Sequence, residues 1–258
     1  MPDIHPPTDR SSEYIKQLSI DCVVFGYRDG KLYVLVPELI FRGNYYGLPG
    51  GFIRQSESID DAARRILEGR TGITNIYLEQ FRVFGGTERN NRKALERLLA
   101  LNTEGDGGID WMRNNLHWLG ERFVSIGYYA LVDMHMVMPV KTKIDASVNW
   151  YPLDELPPMI MDHGEIIGEA LRSLRRDLDE KLIAFNLLPE KFTMKELRLL
   201  YEAVYDRPFA RNNFQKKILD LGVLERLEKK YTGASNRAPY LYRFQRIDTA
   251  PASPHQLL

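Results

Sequence analysis

The residues best placed to do chemistry lie between positions 51 and 73, in the run GFIRQSESIDDAARRILEGRTGI. Its second half has the apolar spacing of a helix, so positions 66, 69 and 70 share one helix face. Three carboxylates on that face would form a site for Mg²⁺ or Mn²⁺, because these ions prefer oxygen ligands. The sequence has Ile66, Gly69 and Arg70 there instead, and the charge of Arg70 would repel a metal ion. The pattern predicts the frame of a metal site without its ligands.

The same run resembles the Nudix box, in which a glycine, a glutamate and the segment Arg-Glu-x-x-Glu-Glu have fixed spacing. The residues in register with that motif are Gly51, Glu57, Arg65, Leu67, Gly72 and Ile73. The resemblance implies that Glu57 and Arg65 pair and tie the loop to the helix. Because the three glutamate positions are the substituted ones, we expect no bound metal, no catalytic residue and no cofactor. A loop followed by an ordinary amphipathic helix would share part of this pattern.

Composition and charge limit the class of protein. The 258 residues include one cysteine, which rules out a disulfide framework within the chain and favours a reducing, cytoplasmic location. No apolar run reaches the roughly 20 residues that span a bilayer, and the N-terminal residues do not resemble a signal peptide. The net charge is zero, but residues 191–246 hold 13 Lys or Arg against 6 Asp or Glu. A compact basic segment is typical of proteins that bind polyanions.

The elements around the motif predict a layered domain. Strands are expected at 18–27 and 31–39, joined by a hairpin at Asp29-Gly30, and further strands at 45–48, 76–84, 123–132 and 148–151. A helix is expected up to about residue 70, and a long one begins at Asp162. Mixed strands with two long helices predict an α/β/α sandwich.

Residues 88–121 differ from their surroundings and form a predicted insert of two amphipathic helices. Leu95, Leu98 and Leu99 share one side of the first helix, and Trp111, Leu116 and Trp118 lie in the second. The insert could form a small local core. It could also form a dimer contact or cover a ligand pocket.

The basic segment predicts a DNA-binding domain. Thr193 and Glu196 form a capping box that opens one helix, and a second helix follows and ends at Gly222. In that second helix Phe214, Ile218 and Leu221 are expected to face inward. The outward polar side chains combine amides and cations, which read base edges and contact phosphates. With a basic hairpin after them, they predict a winged helix-turn-helix, although a solvated helix pair would also have polar outer faces. The predicted DNA-binding residues are Arg211, Asn212, Asn213, Gln215, Lys216, Lys230, Asn236 and Arg237.

The two parts together resemble the Nudix-related transcriptional regulators. The runs that carry the resemblance are SIDCVVFGY, LPGGFIRQSESIDDAARRILEGRTG, ERFVSIGYYALV, FNLLPEKFT and LYEAVYDRPFARNNFQKK. They are most similar to the sugar-responsive, arabinose-type repressors of that family. The resemblance implies an α+β chain, namely a Nudix-like α/β/α sandwich followed by a winged helix-turn-helix. It also implies a homodimer, a double-stranded DNA operator and an effector in the former substrate pocket.

The predicted domain bounds follow from this organisation. Residues 1–14 and 247–258 are expected to be tails. Residues 15–182 form the effector-binding domain, with the insert at 88–121, and residues 188–246 form the DNA-binding domain.

The effector contacts are predicted less sharply. Asp21 shares a strand face with Val23 and Phe25, so its carboxylate needs a partner. That partner could be an effector hydroxyl, a backbone amide or an arginine. Glu38 and Tyr46 are further candidates at the pocket edge. The five histidines have no metal-ligand spacing.

The function expected from these features is a ligand-controlled repressor of sugar-utilisation genes, with a pentose such as arabinose as effector. One alternative is a regulator of NAD metabolism that responds to ADP-ribose. Another is a residual pyrophosphohydrolase that uses Glu57, Glu68 and ligands outside the box.

Overall fold

The computed structural model of the chain describes residues 13–74, 76–89, 92–102, 107–180, 183–230 and 238–245. It divides into two compact units, Met1–Leu187 and Leu188–Leu258. The predicted tails lie outside the described residues, except that the first strand already begins at Tyr14. Within the described ranges, no helix combines the length and apolar composition that crossing a bilayer requires.

A six-stranded mixed sheet forms the centre of the first unit. Its strands are β1 (Tyr14–Arg28), β2 (Lys31–Leu39), β3 (Gly50–Arg54), β4 (Tyr77–Phe84), β5 (Val124–Val132) and β6 (Asp145–Pro152). The order is β4-β5-β1-β2-β6, and β3 also pairs with β1. The β1–β5 pair is parallel, and the β1–β2 hairpin closes at Asp29-Gly30, as the turn residues predict.

Helices cover both faces of this sheet because alternate residues of β1 are apolar on both sides. Ile20, Cys22 and Val24 belong to a buried core that includes residues of α1 (Ile59–Thr71). On the other face, Phe25 contacts Tyr129, whose hydroxyl donates to Asp177 of α5 (His163–Glu180) at 2.6 Å. The sheet therefore lies between α1 and α5.

A short extended segment, residues 46–50, lies between β1 and β2 where these strands separate. The Cys22 N–H donates to Pro49 O at 2.8 Å on one side, and the Gly47 N–H donates to Pro37 O at 3.0 Å on the other. Gly50 is required because a Cβ there would lie 2.8 Å from Ile20 O. The predicted strand at 45–48 is wrong in its bounds, since this segment makes isolated bridges at Tyr46 and the strand begins at Gly50.

The insert has its own small core, as one of the two alternatives predicts. Its helices are α2 (Arg92–Leu101), α3 (Gly107–Asn114) and α4 (Leu116–Leu119). Leu99 and Ile109 pack with Phe41 from the loop after β2. Trp118 lies against Phe52 of β3, with ring centroids 4.4 Å apart. The insert is thus attached to the sheet at two places.

The second unit is a helix pair with a three-stranded sheet. Its elements are β7 (Phe192–Thr193), α6 (Met194–Tyr205), α7 (Arg211–Asp220), β8 (Leu224–Lys229) and β9 (Tyr240–Phe244), with the sheet order β7-β9-β8. Thr193 and Glu196 form the predicted capping box. Phe214 and Ile218 are buried, but Leu221 is 48% exposed, so its predicted inward position is wrong. The reason is that α7 ends at Asp220, one residue before Leu221.

Candidate functional site

The helix face that would bind a metal is buried in this protein. Ile66 belongs to the core between α1 and the sheet, and Gly69 and Arg70 are buried beside it. The Arg70 guanidinium forms an ion pair with Asp145, and both side chains are almost completely buried. Asp145 also accepts hydrogen bonds from the Thr142 N–H at 2.6 Å and its hydroxyl at 2.7 Å. The positive charge of Arg70 is thereby neutralised within the protein.

In the part of the chain that the structure describes, no group of three or more His, Cys, Asp or Glu side chains has an arrangement that could hold a metal ion. Glu68, which a residual hydrolase would need, is exposed on α1.

Glu57 and Arg65 are in contact, in the geometry that the resemblance implies. Arg65 donates from Nε to Glu57 Oε2 at 2.9 Å and from Nη2 to Oε1 at 2.6 Å. It also donates to Phe52 O at 2.8 Å, so it joins α1, the loop and β3. Burial raises the pKa of Glu57, but the hydrogen bonds from Arg65 and the Arg54 N–H outweigh burial and hold it below the usual value.

Asp21 is inside the protein, and its partners come from distant parts of the chain. It accepts a hydrogen bond from the Ser125 hydroxyl at 2.6 Å, and Arg89 Nη2 lies 3.4 Å from the same oxygen. Arg89 also donates to Asp162 at 2.8 Å, directly before α5. Of the partners that the sequence left open for Asp21, the structure thus has an arginine.

His163 borders this buried group. Its Nδ1 accepts the Leu48 N–H at 2.9 Å, and its Nε2 lies 3.9 Å from Asp21. Burial lowers the pKa of His163, although the Asp21 charge opposes this effect. A neutral imidazole therefore supports the Leu-Pro-Gly-Gly turn.

Glu38 and Tyr46 lie together in a second, half-exposed polar group. They form an isolated backbone bridge, and Glu38 accepts from the Ser147 hydroxyl at 2.9 Å. Asn149 donates to Ser147 at 2.9 Å, and the Tyr46 ring lies edge-on to Tyr151 with centroids 5.9 Å apart. Carboxylate, amide and phenol groups side by side can bind the hydroxyl groups of a small molecule.

Sequence reasoning missed most of the partners in these two groups. Arg89 and Ser125 lie 68 and 104 residues from Asp21, so no local spacing indicates them. Ser147, Asn149 and Tyr151 alternate along β6 and therefore share a face, which is a signal that the sequence does contain.

The outer face of α7 is polar and exposed. Arg211, Asn212, Asn213 and Lys216 are exposed, and Gln215 is half-buried. Lys230 donates to Glu196 at 3.1 Å, so this predicted DNA contact has a partner within the protein. The predicted contacts Asn236 and Arg237 lie outside the described residues.

Two family models match the chain, one for each unit. Residues 16–171 match the NUDIX domain. Residues 184–244 match the NrtR DNA-binding winged helix domain. The predicted fold class, a Nudix-like α/β/α sandwich followed by a winged helix-turn-helix, is confirmed.

Relatives of known structure or function cover nearly the whole chain. The ADPR responsive transcriptional repressor NtrR of Acinetobacter baylyi is 25% identical over 245 residues, which are 91% of this chain and 85% of the relative. The structure of Shewanella oneidensis NrtR complexed with a 27mer DNA superposes with a TM-score of 0.67 at 24% identity, over 89% of this chain and 94% of that one. A MutT/nudix family protein from Enterococcus faecalis gives 0.62 at 20% identity, over 90% and 88%. None of these three relatives is named for a sugar.

Proposed function

This chain belongs to the NUDIX domain family, and we propose that it is a DNA-binding transcriptional repressor controlled by a small molecule that its NUDIX unit binds. The observation that carries the proposal is the joining of a NUDIX domain, which has Ile66, Gly69 and Arg70 at the motif's glutamate positions, to a winged helix domain with an exposed polar helix face. The first unit would sense the effector, and the second would bind the operator.

The effector that we propose is ADP-ribose or a close relative, in place of the pentose that the sequence resemblance favours. Its support is the named response of the Acinetobacter baylyi repressor, which aligns with 91% of this chain. Glu38 and Tyr46 remain our candidates for direct contact because their group is half-exposed. Asp21 would act indirectly, by holding Arg89 and the adjacent strands in place.

We also propose that the NUDIX unit does not hydrolyse its ligand. Hydrolysis by this family's motif needs carboxylates on the face of α1 that here holds Ile66, Gly69 and Arg70. Ile66, Gly69 and Arg70 have no side-chain oxygen to offer a cation, and the nearby Asp145 carboxylate is already paired with Arg70.

The operator would be read by α7 in the DNA major groove. Asn212 and Asn213 would contact base edges there, with Arg211, Gln215 and Lys216 beside them. We expect a homodimer, since two copies related by a two-fold axis would bind two half-sites of a palindromic operator. Light scattering of the purified chain, alone and with DNA, measures this directly.

The experiment that tests the function has two stages. Selection from a pool of random duplexes with the full chain would first yield an operator. Fluorescence anisotropy would then measure its affinity with ADP-ribose, with L-arabinose and with neither. We expect ADP-ribose alone to change operator affinity. Failure to select any duplex at moderate salt would refute the proposal that the chain is a DNA-binding repressor.

Thermal unfolding separates the effector classes without DNA. A ligand at 100 times its Kd stabilises the native state by about 2.7 kcal/mol. We expect ADP-ribose to raise Tm and pentoses to leave it unchanged. The same samples with Mg²⁺ or Mn²⁺ should release no product from ADP-ribose. Measured turnover that the Glu57→Gln substitution abolishes would contradict the proposal that the NUDIX unit is inactive.

A further inference from the structure

The second unit contains a groove of about 800 Å³, which is lined by residues of α6, β8 and β9 as well as of α7. The start of α6 forms one wall, the start of α7 forms another, and β8 with β9 forms the third. Its charged and aromatic lining residues include Lys195, Arg198, Arg211, Lys229 and Tyr240. No carboxylate lines the described part of this groove, so its charge is strongly positive.

Three of these cations are not neutralised within the described ranges. Lys195, Arg211 and Lys229 are exposed there and form no ion pair. Neighbouring cations differ, since Arg198 pairs with Glu202 and Lys230 with Glu196. Three of the four cations that line the groove are therefore available to a partner.

The start of α6 adds backbone donors to the same wall. The first N–H groups of a helix have no partner within the helix, and the Thr193 hydroxyl satisfies only that of Glu196, at 3.2 Å. Thr193, Met194 and Lys195 all line the groove. Lysine and arginine side chains beside helix N–H groups are the donors that bind phosphate oxygens.

Tyr240 holds the third wall in shape. The Lys229 ammonium lies 5.5 Å from the centre of its ring, and the Arg226 guanidinium lies 4.7 Å from it. Lys229 and Tyr240 are also opposite each other in the β8–β9 pair. Cation–π contact of this kind restricts a lysine side chain that would otherwise move freely in water.

We propose that this groove binds the phosphate backbone of one strand of duplex DNA, with Lys195, Arg211 and Lys229 as phosphate contacts and Tyr240 as the residue that positions Lys229. The proposal rests on DNA binding by this unit. It adds a second contact region to the base-reading face of α7 and assigns Lys229, in place of Lys230, to the phosphates.

Salt dependence tests the phosphate contacts. The full chain is titrated against a fluorescein-labelled 30-base-pair duplex of unrelated sequence at several NaCl concentrations, because phosphate contacts carry no sequence information. Each phosphate contact that is lost lowers the log–log slope by about 0.9. Lys195→Ala, Arg211→Ala and Lys229→Ala should each cause this change, and the triple variant should lower the slope by about 2.7.

Lys217→Ala is the matched control. Lys217 is exposed on α7 and carries the same charge, but it lies about 200° around the helix from Gln215, which lines the groove. We expect it to keep the wild-type slope. The groove is refuted if the triple variant keeps the wild-type slope, or if Lys217→Ala lowers it as much as Lys229→Ala does.

Tyr240 has its own pair of variants. Tyr240→Phe keeps the ring and should keep the slope, whereas Tyr240→Ala should lower it by up to the value for Lys229→Ala, with unchanged Tm. A slope for Tyr240→Ala equal to wild type would remove the positioning role. If the wild-type chain binds no duplex even at low salt, DNA binding itself fails, and that result is distinct from unchanged slopes in a chain that binds.

Discussion

In the NUDIX unit, Arg70 and Arg89 lie below the surface, each beside a buried aspartate, whereas in the winged helix unit Arg211, Lys195 and Lys229 extend into solvent. A buried guanidinium must be paired, because an unpaired charge in the interior is very costly. An exposed one is solvated and stays available to a polyanion. Basic side chains thus stabilise the first unit and are available for binding in the second.

Two charged pairs show how buried and half-buried arginines stabilise the NUDIX unit. The pair Glu57–Arg65 still joins loop, helix and strand, and Arg70–Asp145 joins the end of α1 to the start of β6. Both pairs hold the fold, and neither leaves a carboxylate free for a metal ion.

The largest expected effect comes from removing a buried arginine of the NUDIX unit. Arg70→Ala leaves Asp145 buried without its counter-charge, so the free energy of unfolding should fall by about 3–5 kcal/mol. Urea denaturation followed by circular dichroism measures this. Arg64→Ala, which removes an exposed arginine of the same helix, should leave the midpoint unchanged. Equal midpoints for the two variants would show that the buried Arg70–Asp145 pair does not stabilise the fold.

On the exposed side, Asn212→Ala tests whether α7 reads bases. If Asn212 contacts a base edge, the variant should lose about 1–3 kcal/mol of discrimination at one base pair. Affinities for the selected operator and its single-base variants give this value. An equal loss on every duplex would assign Asn212 to the DNA backbone.

Acid should weaken the retained Glu57–Arg65 pair. The pKa of Glu57 is lowered from 4.5 by folding, so its contribution is complete above that pH and is lost as the pH falls through the folded value. Glu57→Gln should therefore cost about 1–2 kcal/mol at pH 7. The difference in the free energy of unfolding between wild type and variant should become smaller below about pH 4.5. A difference that does not depend on pH would show that the shape of the Glu57 side chain, and not its charge, stabilises the fold.

The smallest expected effect concerns a single exposed lysine. Lys216→Ala should lower the salt slope of operator binding by about 0.9. It should leave the Tm shift with ADP-ribose unchanged, because Lys216 belongs to the other unit. Loss of the ADP-ribose shift would contradict this assignment of roles.

The sequence predicts the elements well because their signals are local. The Asp29-Gly30 turn, the capping box at Thr193 and the apolar stripe of α1 are each set by residues a few positions apart. The partners of charged side chains are not local. Asp145 is 75 residues from Arg70, and Glu196 is 34 residues from Lys230. The sequence therefore predicts the position of Arg70 on the α1 face correctly, but it does not indicate that Asp145 neutralises its charge.

The same limit explains why Lys230 is predicted as a DNA contact while Lys229 faces the groove. The two lysines are adjacent, and only the register of β8 with β9 and the position of α6 distinguish them. The wing sequence indicates that basic residues are present, and the tertiary fold decides which of them are available.

The contacts of Glu196 link the local motions of two segments of the winged helix. Its carboxylate accepts from the Thr193 N–H at 2.6 Å, from the Thr193 hydroxyl at 3.0 Å and from Lys230 at 3.1 Å. One side chain thus joins the first turn of α6 to the end of β8. Glu196→Ala should accordingly speed the deuterium exchange of amide hydrogens in both segments, since they share this one side chain.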